Sequence, residues 1–433
     1  MPKISFLGSC REVGRSAILI ESNSGDQCLL DYGIRFRGEE RIPYETDLGN
    51  LKAVALTHCH IDHSGALPIL YKERSIPFYT NPLSLRIIET LIKDMIRISN
   101  YPFPFGFREL RKVISNAIFL ENKFRQKIAD NFYITFFNAG HIPGSVSILV
   151  EVNNKKILYS GDINTKETML TSPANPIDIP ELDALIIEST YALRNHPPRE
   201  DLEKSFVENI TAITENGGRV LIPAFGVARS QEALLILNKY NYTGKIFIDG
   251  LAKEICDVYL LNQEFLRDGV SFRRALKKAQ YISAKDRNTA KKSNGVIIAP
   301  SGMLKGGAAI SFTTSILKDP ASAIYLIGYQ VEGSPGRILL DKGIFKYRVK
   351  DKKTNMIKRI KMNVKCEYNY FDFSSHADGI GLHKFINNLG FLNDSKVTFC
   401  VHGDSKSTTT FASELVKNNY SAISPEIGET YKI

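Results

Sequence analysis

Several residue types that mark special classes of protein are scarce or scattered in this chain of 433 residues. It has no tryptophan, and its six cysteines lie far apart without a CxxC pair. A disulfide framework and a cysteine-rich zinc ribbon therefore lack support, which fits a reducing compartment. No apolar run approaches the roughly 20 residues of a membrane span, and Met1 leads directly into a strand-like segment instead of a secretory signal. We therefore expect a cytoplasmic protein with no membrane partner.

What the chain does have is a basic excess, with 56 lysines and arginines against 46 acidic residues and a formal charge of +10. Such a balance favours a polyanionic partner. The excess is concentrated between residues 341 and 365, which contain ten basic residues and two aspartates. This stretch predicts either a nucleic-acid contact or a solvated hairpin whose lysines protect an edge strand, and both interpretations stay open.

The chain is long enough for two globular domains, and its sequence contains two kinds of pattern. In the first pattern, short β-favouring runs end at a residue that can bind metal or transfer a proton. Runs of this kind end at Asp31, His58, His141, Asp162 and Glu188. From about residue 191 to 364, helical patterns alternate with strand-like runs, which predicts a separate α/β unit. The first pattern then returns, with strand-like runs that end at His376 and His402. The middle unit is therefore predicted to be an insertion.

The pattern HCHIDH follows one of these runs and contains His58, His60, Asp62 and His63. Alternate residues of an extended chain face the same side, so His58 and His60 can bind one metal ion while Asp62 and His63 face a second. Imidazole and carboxylate donors suit zinc, manganese or iron. Two ions need further ligands, and the remaining candidates at strand ends are His141, Asp162 and His402. A carboxylate such as that of Asp162 has the two oxygens needed to bridge a metal pair.

These seven positions resemble the pattern of the metallo-β-lactamase superfamily, which is HxHxDH followed by a distant histidine, aspartate and histidine. The flanking segments ESTYALRNHPPRE, FSSHAD and VHGD resemble motifs A, B and C of the β-CASP nucleases. The resemblance is strongest to the cleavage and polyadenylation specificity factor-like branch in its short archaeal or bacterial form. It implies an α/β fold in which an αββα metallo-β-lactamase sandwich comprises residues 1–187 and 363–433. A β-CASP domain would be inserted between them at residues 188–362.

The same resemblance implies that each chain binds two zinc ions. One ion would be bound by His58, His60 and His141, the other by Asp62, His63 and His402, and both would be bridged by Asp162. Motif B would supply His376 as the general acid, and motif A would supply Glu188, which orients that imidazole. A helix cap or an ion pair is the alternative role of Glu188. Asp31 would hold a ligand loop, and it counts with Asp62 among the catalytic residues.

The resemblance also implies contacts to phosphate, most of them in glycine-rich segments. The candidates are Ser301, Gly302 and Met303 of PSGMLKGG, Gly336 and Arg337 of GSPGR, and Ser374 of FSSHAD. Backbone amides of PSGMLKGG could form a nest for a phosphate, although such a segment by itself is more often only a turn.

The leading hypothesis is a zinc-dependent ribonuclease of RNA processing or decay that hydrolyses phosphodiester bonds within single-stranded RNA, with 5′–3′ exonuclease activity left open. RNA is favoured over DNA by the resemblance, since the DNA-repair branch typically has valine where this chain has His402. An RNase J-type 5′–3′ exoribonuclease is the nearest alternative, and a small-molecule metallo-hydrolase is a more remote one. A catalytically inactive subunit would lack metal ligands, and none is missing here. The C-terminal ISPEIGETYKI resembles archaeal members that pair as dimers and implies a homodimer.

Overall fold

The computed structural model describes residues 1–36, 38–99, 101–350 and 357–433. The chain divides into two compact units: residues 1–195 with 375–433, and residues 196–374. Among the described residues, no helix combines the length and apolar character that a membrane crossing requires.

The strands and helices follow the chain in three blocks. Before the insertion they are β1 (Lys3–Phe6), β2 (Ile18–Glu21), β3 (Gln27–Leu30), β4 (Leu51–Ala55), α1 (Ile61–Ser64), α2 (Leu67–Leu70), β5 (Phe78–Thr80), α3 (Pro82–Ile98), α4 (Phe107–Ser115), β6 (Ala117–Phe119), β7 (Arg125–Ala129), β8 (Phe132–Asn138), β9 (Val146–Val152), β10 (Lys155–Tyr159) and β11 (Ala184–Glu188).

The second unit contains α5 (Arg199–Glu215), β12 (Arg219–Pro223), α6 (Arg229–Lys239), β13 (Ile246–Ile248), α7 (Leu251–Leu261), α8 (Gly269–Lys277), β14 (Ala279–Tyr281), α9 (Arg287–Ala290), β15 (Gly295–Ala299), α10 (Ile310–Leu317), β16 (Ala323–Leu326), α11 (Pro335–Lys342), β17 (Ile344–Lys350), β18 (Ile357–Asn363) and β19 (Glu367–Tyr370). The first unit then resumes with α12 (Gly379–Asn387), β20 (Val397–Val401), α13 (Ser405–Lys417), β21 (Ala422–Ile423) and β22 (Thr430–Lys432).

Two sheets form the centre of the first unit, with strand orders β22-β1-β2-β3-β4-β5-β6 and β21-β20-β11-β10-β9-β8-β7. Their apolar faces share one buried cluster, in which the rings of Phe6 and Phe399 are 5.0 Å apart. Leu382, Phe385 and Phe411 of α12 and α13 pack on the other face of the second sheet. Helices α3 and α4 connect the parallel strands β5 and β6, which requires a crossover on a face of the first sheet. These layers form the predicted αββα sandwich.

Residues after the insertion complete both sheets. β20 pairs in parallel with β11, and β22 pairs antiparallel with β1. The last strand before the insertion and the first strand after it are therefore neighbours in the second sheet.

The second unit contains a parallel sheet with strand order β14-β13-β15-β12-β16-β19. Its central strand β15 is buried at every position, as expected for a parallel strand between two layers of helices. The chain passes between the units at residues 195–196 and 374–375, whereas the sequence places the boundaries after residues 187 and 362. The second difference arises because β19 pairs in parallel with β16 and so belongs to this sheet.

Candidate metal centre

Polar side chains gather where strands of the first unit end. β10, β11 and β20 are parallel neighbours, and the carboxyl ends of parallel strands meet at one edge of a sheet. Asp162, Glu188 and His402 follow or end these three strands, and all three are buried. The chain turns sharply before Asp162, where Gly161 has φ +56 and an added Cβ would lie 2.7 Å from Cβ of Thr57. Glycine is therefore required at this turn.

One group of donor atoms consists of His58, His60, His141 and Asp162. Nδ1 of His60 lies 3.0 Å from Nε2 of His58 and 3.3 Å from Nε2 of His141. Oδ2 of Asp162 lies 3.5 Å and 3.7 Å from the same two Nε2 atoms. Tetrahedral zinc with bonds of about 2.0–2.1 Å separates its ligand atoms by roughly 3.3 Å. The spacing of these four donors therefore fits one such ion.

A second group consists of Asp62, His63 and His402. Nε2 of His402 lies 3.2 Å from Nε2 of His63 and 3.5 Å from Oδ2 of Asp62. Oδ1 of Asp162 lies 3.4 Å from Nε2 of His63, so the two oxygens of this carboxylate face different groups. Oδ1 is buried and has no hydrogen-bond partner among the described residues. A buried carboxylate oxygen of this kind is costly unless a cation neutralises it, so the donors fit a pair of ions that share Asp162.

Asp31 holds one of these histidines. Its Oδ2 lies 2.7 Å from Nδ1 of His63, which must donate because the carboxylate can only accept. Asp31 also accepts hydrogen bonds from the backbone N and hydroxyl of Thr57 and from the hydroxyl of Tyr159. Nε2 of His63 is thereby left to face the other donors. Asp31 is thus placed to fix the tautomer and orientation of His63.

Other histidines have similar partners that the sequence analysis missed. Nδ1 of His141 donates to the carbonyl oxygen of Ser375 at 2.8 Å. Nδ1 of His402 lies 3.1 Å from the hydroxyl of Thr190. The only available signal was proximity in the chain, since Thr190 follows Glu188 and Ser375 precedes His376.

Burial sets the protonation of the first donor group. It lowers the pKa of His60 to about 4, and burial together with the charge of His63 lowers the pKa of His58 well below its ordinary value. These imidazoles are therefore neutral near pH 7, which is the form that binds metal. His63 differs, because Asp162 and Asp31 outweigh burial and raise its pKa. Metal binding by His63 is expected to release a proton.

His376 and Glu188 form a pair beside this cluster. Nδ1 of His376 lies 3.0 Å and 2.9 Å from the two carboxylate oxygens of Glu188, and its Nε2 lies 3.9 Å from Oδ2 of Asp162. Glu188 is fully buried and also accepts a hydrogen bond from the backbone N of Ile163. The His376 side chain is 18% exposed. It is therefore held at one ring nitrogen while part of the ring stays accessible.

The candidate phosphate contacts lie in the second unit. The backbone N of Gly336 donates to the carbonyl oxygen of Met303, and Nε2 of Gln330 donates to that of Gly302. The turn at 301–303 is thus joined to the start of α11. Arg337 binds Asp341 on the same helix with two nitrogens, so its guanidinium already has a carboxylate partner.

Two remaining candidates have local backbone or side-chain bonds. The backbone N of Ser374 donates to Asp372, and the hydroxyl of Ser301 accepts from the backbone N of Lys305. Of the basic stretch 341–365, residues 351–356 lie outside the described residues, and β17 and β18 pair as a hairpin.

Three family models match the chain. The model of the metallo-beta-lactamase superfamily matches residues 11–192, that of the Beta-Casp domain residues 230–339, and that of the Zn-dependent metallo-hydrolase RNA specificity domain residues 361–425. The first match lies in the first unit, the second lies in the second unit, and the third lies mostly in the part of the first unit that follows the insertion.

Individual proteins are similar over nearly the whole chain. RNase aCSPSF2 of Saccharolobus solfataricus is 35% identical over 98% of this chain and 84% of its own length. Probable RNase MJ4 of Methanocaldococcus jannaschii is 36% identical over the full length of both chains. A crystal structure of a protein of unknown function from Enterococcus faecalis shares the fold with a TM-score of 0.64, at 16% identity over 99% of each chain. The chain therefore belongs to the β-CASP family of the metallo-β-lactamase superfamily.

Proposed function

We propose that the protein is a metal-dependent ribonuclease that hydrolyses internal phosphodiester bonds of single-stranded RNA. The observation that carries the proposal is the pair of donor groups sharing Asp162, with the His376–Glu188 pair beside them. The match to an RNA specificity domain and the ribonuclease names of two archaeal relatives support RNA as the substrate. The alternative of a small-molecule hydrolase would explain the metal ligands, but it would not explain the basic hairpin.

We infer that two zinc ions occupy the site, one in each donor group. The donors are imidazoles and carboxylates, and no described cysteine belongs to either group. When bound, such ions activate water as a nucleophile and stabilise negative charge on a phosphoryl oxygen. Asp162, with one oxygen facing each group, would be a ligand common to both positions.

The protein's own residues then supply the proton that the leaving oxygen requires. Glu188 binds Nδ1 of His376 and favours the protonated imidazole, while Nε2 is the atom that can donate to the leaving group. Proton donation of this kind typically contributes about 10²–10⁴-fold to the rate. Asp31 contributes indirectly by keeping His63 in the tautomer that binds metal.

Cleavage of a 5′-labelled single-stranded RNA, resolved on a sequencing gel, tests the proposal. Zinc-loaded protein should produce discrete labelled fragments of intermediate length, and chelated protein and Asp62→Ala should produce none. Label released only as mononucleotide would instead indicate a 5′ exonuclease of RNase J type. Intact RNA in all samples would rule out ribonuclease activity, and equal cleavage of the matching DNA would rule out RNA specificity.

A further inference from the structure

The hairpin formed by β17 and β18 has two chemically different faces. Its register places Lys346 opposite Lys361 and Arg348 opposite Arg359, while Phe345 and Tyr347 lie opposite Met362 and Ile360. Successive side chains of a strand point to opposite faces. The four cations therefore share one face, and the four apolar residues share the other.

The apolar face fixes the hairpin to the second unit. Phe345 is buried in the core cluster of that unit, and Tyr347 and Met362 pack against the same cluster. The aromatic rings of Phe345 and Tyr347 are stacked, with their centroids 6.1 Å apart. The orientation of the hairpin is thus set by core packing, and the face with Lys346, Arg348, Arg359 and Lys361, hereafter the cationic face, points to solvent.

The cationic face is unfavourable by itself. Like charges directly opposite each other on neighbouring strands are destabilising, and here two such pairs are adjacent. None of the four cations forms an ion pair with a carboxylate of the described chain. Among the described residues nothing offsets this repulsion, and a bound polyanion would do so.

A solvated edge strand of the same chain looks different. On β7, Arg125 binds Glu151 at 2.6 Å and Lys127 binds Asp130 at 2.7 Å. The exposed cations of β7 thus have carboxylate partners that offset their charge. The cationic face lacks such partners among the described residues, so its charge is available to attract a polyanion.

We propose that the cationic face is a docking surface for the phosphodiester backbone of single-stranded RNA. The cations on one strand are two residues apart, about 6.6 Å along the strand, and each strand supplies two of them. Such an array suits a flexible chain with one charge per nucleotide. The identity of the polyanion rests on the proposed ribonuclease function. None of the four residues belongs to either donor group, so the surface should contribute to binding and not to the chemical step.

The test uses Arg348→Gln/Arg359→Gln in the full-length, zinc-loaded chain. Binding of a fluorescent oligouridylate is followed by anisotropy at several salt concentrations, with His376→Ala in every protein to slow cleavage. Losing two phosphate contacts should reduce the slope of log affinity against log salt by about 1.4. If the two proteins bind equally at 1 M salt, that change in slope corresponds to about 25-fold weaker binding at 0.1 M salt. In the Arg348→Gln/Arg359→Gln variant that retains His376, KM for RNA should rise and kcat should stay unchanged.

Two matched variants keep the result interpretable. Arg125→Gln/Lys127→Gln removes the same charge from β7 and should bind RNA nearly as well as the parent. Arg348→Lys/Arg359→Lys keeps the charge and should largely restore affinity, which separates loss of contact from loss of fold. Equal affinity and equal salt dependence in the parent and the Arg348→Gln/Arg359→Gln variant would overturn the docking surface. RNA binding that depends on the hairpin, without cleavage by the otherwise wild-type chain, would instead refute only the ribonuclease proposal.

Discussion

The two units present their candidate functional groups in different ways. In the first unit, buried side chains converge at strand ends, and further residues hold them, as Asp31 holds His63. In the second unit, the candidates are backbone groups of glycine-rich turns and the exposed cations of one hairpin. A buried cluster can be recognised from residue types and their spacing. A binding surface depends on strand register and on the partner of each charge, and it emerges only from the structure.

Removing the carboxylate shared by both donor groups should have the largest effect. Asp162→Asn keeps the side-chain shape but removes the charge that faces His63 and His58. We expect the purified protein to lose bound metal and kcat for RNA cleavage to fall about a thousandfold or more. Elemental analysis and single-turnover cleavage measure the two effects. Asp130→Asn, an exposed aspartate bound to Lys127, is the control and should change neither.

Replacing the candidate general acid should separate chemistry from metal binding. His376→Ala removes the group that Glu188 orients, and we expect kcat to fall about 10²–10⁴-fold with full metal content. His383→Ala is a matched control, because His383 also contacts a carboxylate, that of Glu414 at 3.3 Å. Near wild-type cleavage by His376→Ala at saturating zinc would show that another group protonates the leaving oxygen.

A smaller effect is expected from the carboxylate that orients His63. Asp31→Asn removes the acceptor for Nδ1 of His63, so zinc affinity should fall about 10–100-fold. Competition with a chromophoric chelator measures this affinity. Asp183→Asn controls for loss of a buried carboxylate in the same unit, since Asp183 binds Lys155 and lies in no donor group. An equal loss of zinc affinity in both variants would indicate general destabilisation and not orientation of His63.

The sequence predicted most of the first unit because its signals are local. HCHIDH and the strand ends identified residues that the structure brings together, from His58 at the end of one sheet to His402 at the end of the other. The pairing of β20 with β11 agrees with the predicted insertion. Thr190 escaped notice because a hydroxyl near a histidine has no characteristic spacing. The metal identity, the homodimer and the cytoplasmic location stay predictions.

The second unit was predicted less completely, for a physical reason. A short strand such as β19 is partly exposed and carries no clear alternation, so only its pairing with β16 shows which sheet it joins. The basic stretch allowed two interpretations because charge alone does not reveal register. Strand pairing places Arg348 opposite Arg359, so cations gather on one face of the hairpin, and the sequence alone does not show this.

The weakest expected effect concerns the glycine-rich turn. An added Cβ at Gly336 would lie 2.0 Å from Oε1 of Gln330, whose Nε2 binds the carbonyl oxygen of Gly302. Gly336→Ala should therefore displace Gln330 and the turn at 301–303, destabilising the second unit by about 1–3 kcal/mol. Thermal unfolding measures this loss, and KM for RNA should rise if the turn contacts phosphate. Gly306→Ala, where an added Cβ meets nothing within 4 Å, is the control in the same segment. An unchanged KM in a destabilised Gly336→Ala protein would mean that the turn is structural, and the cationic face would remain the proposed RNA contact of this unit.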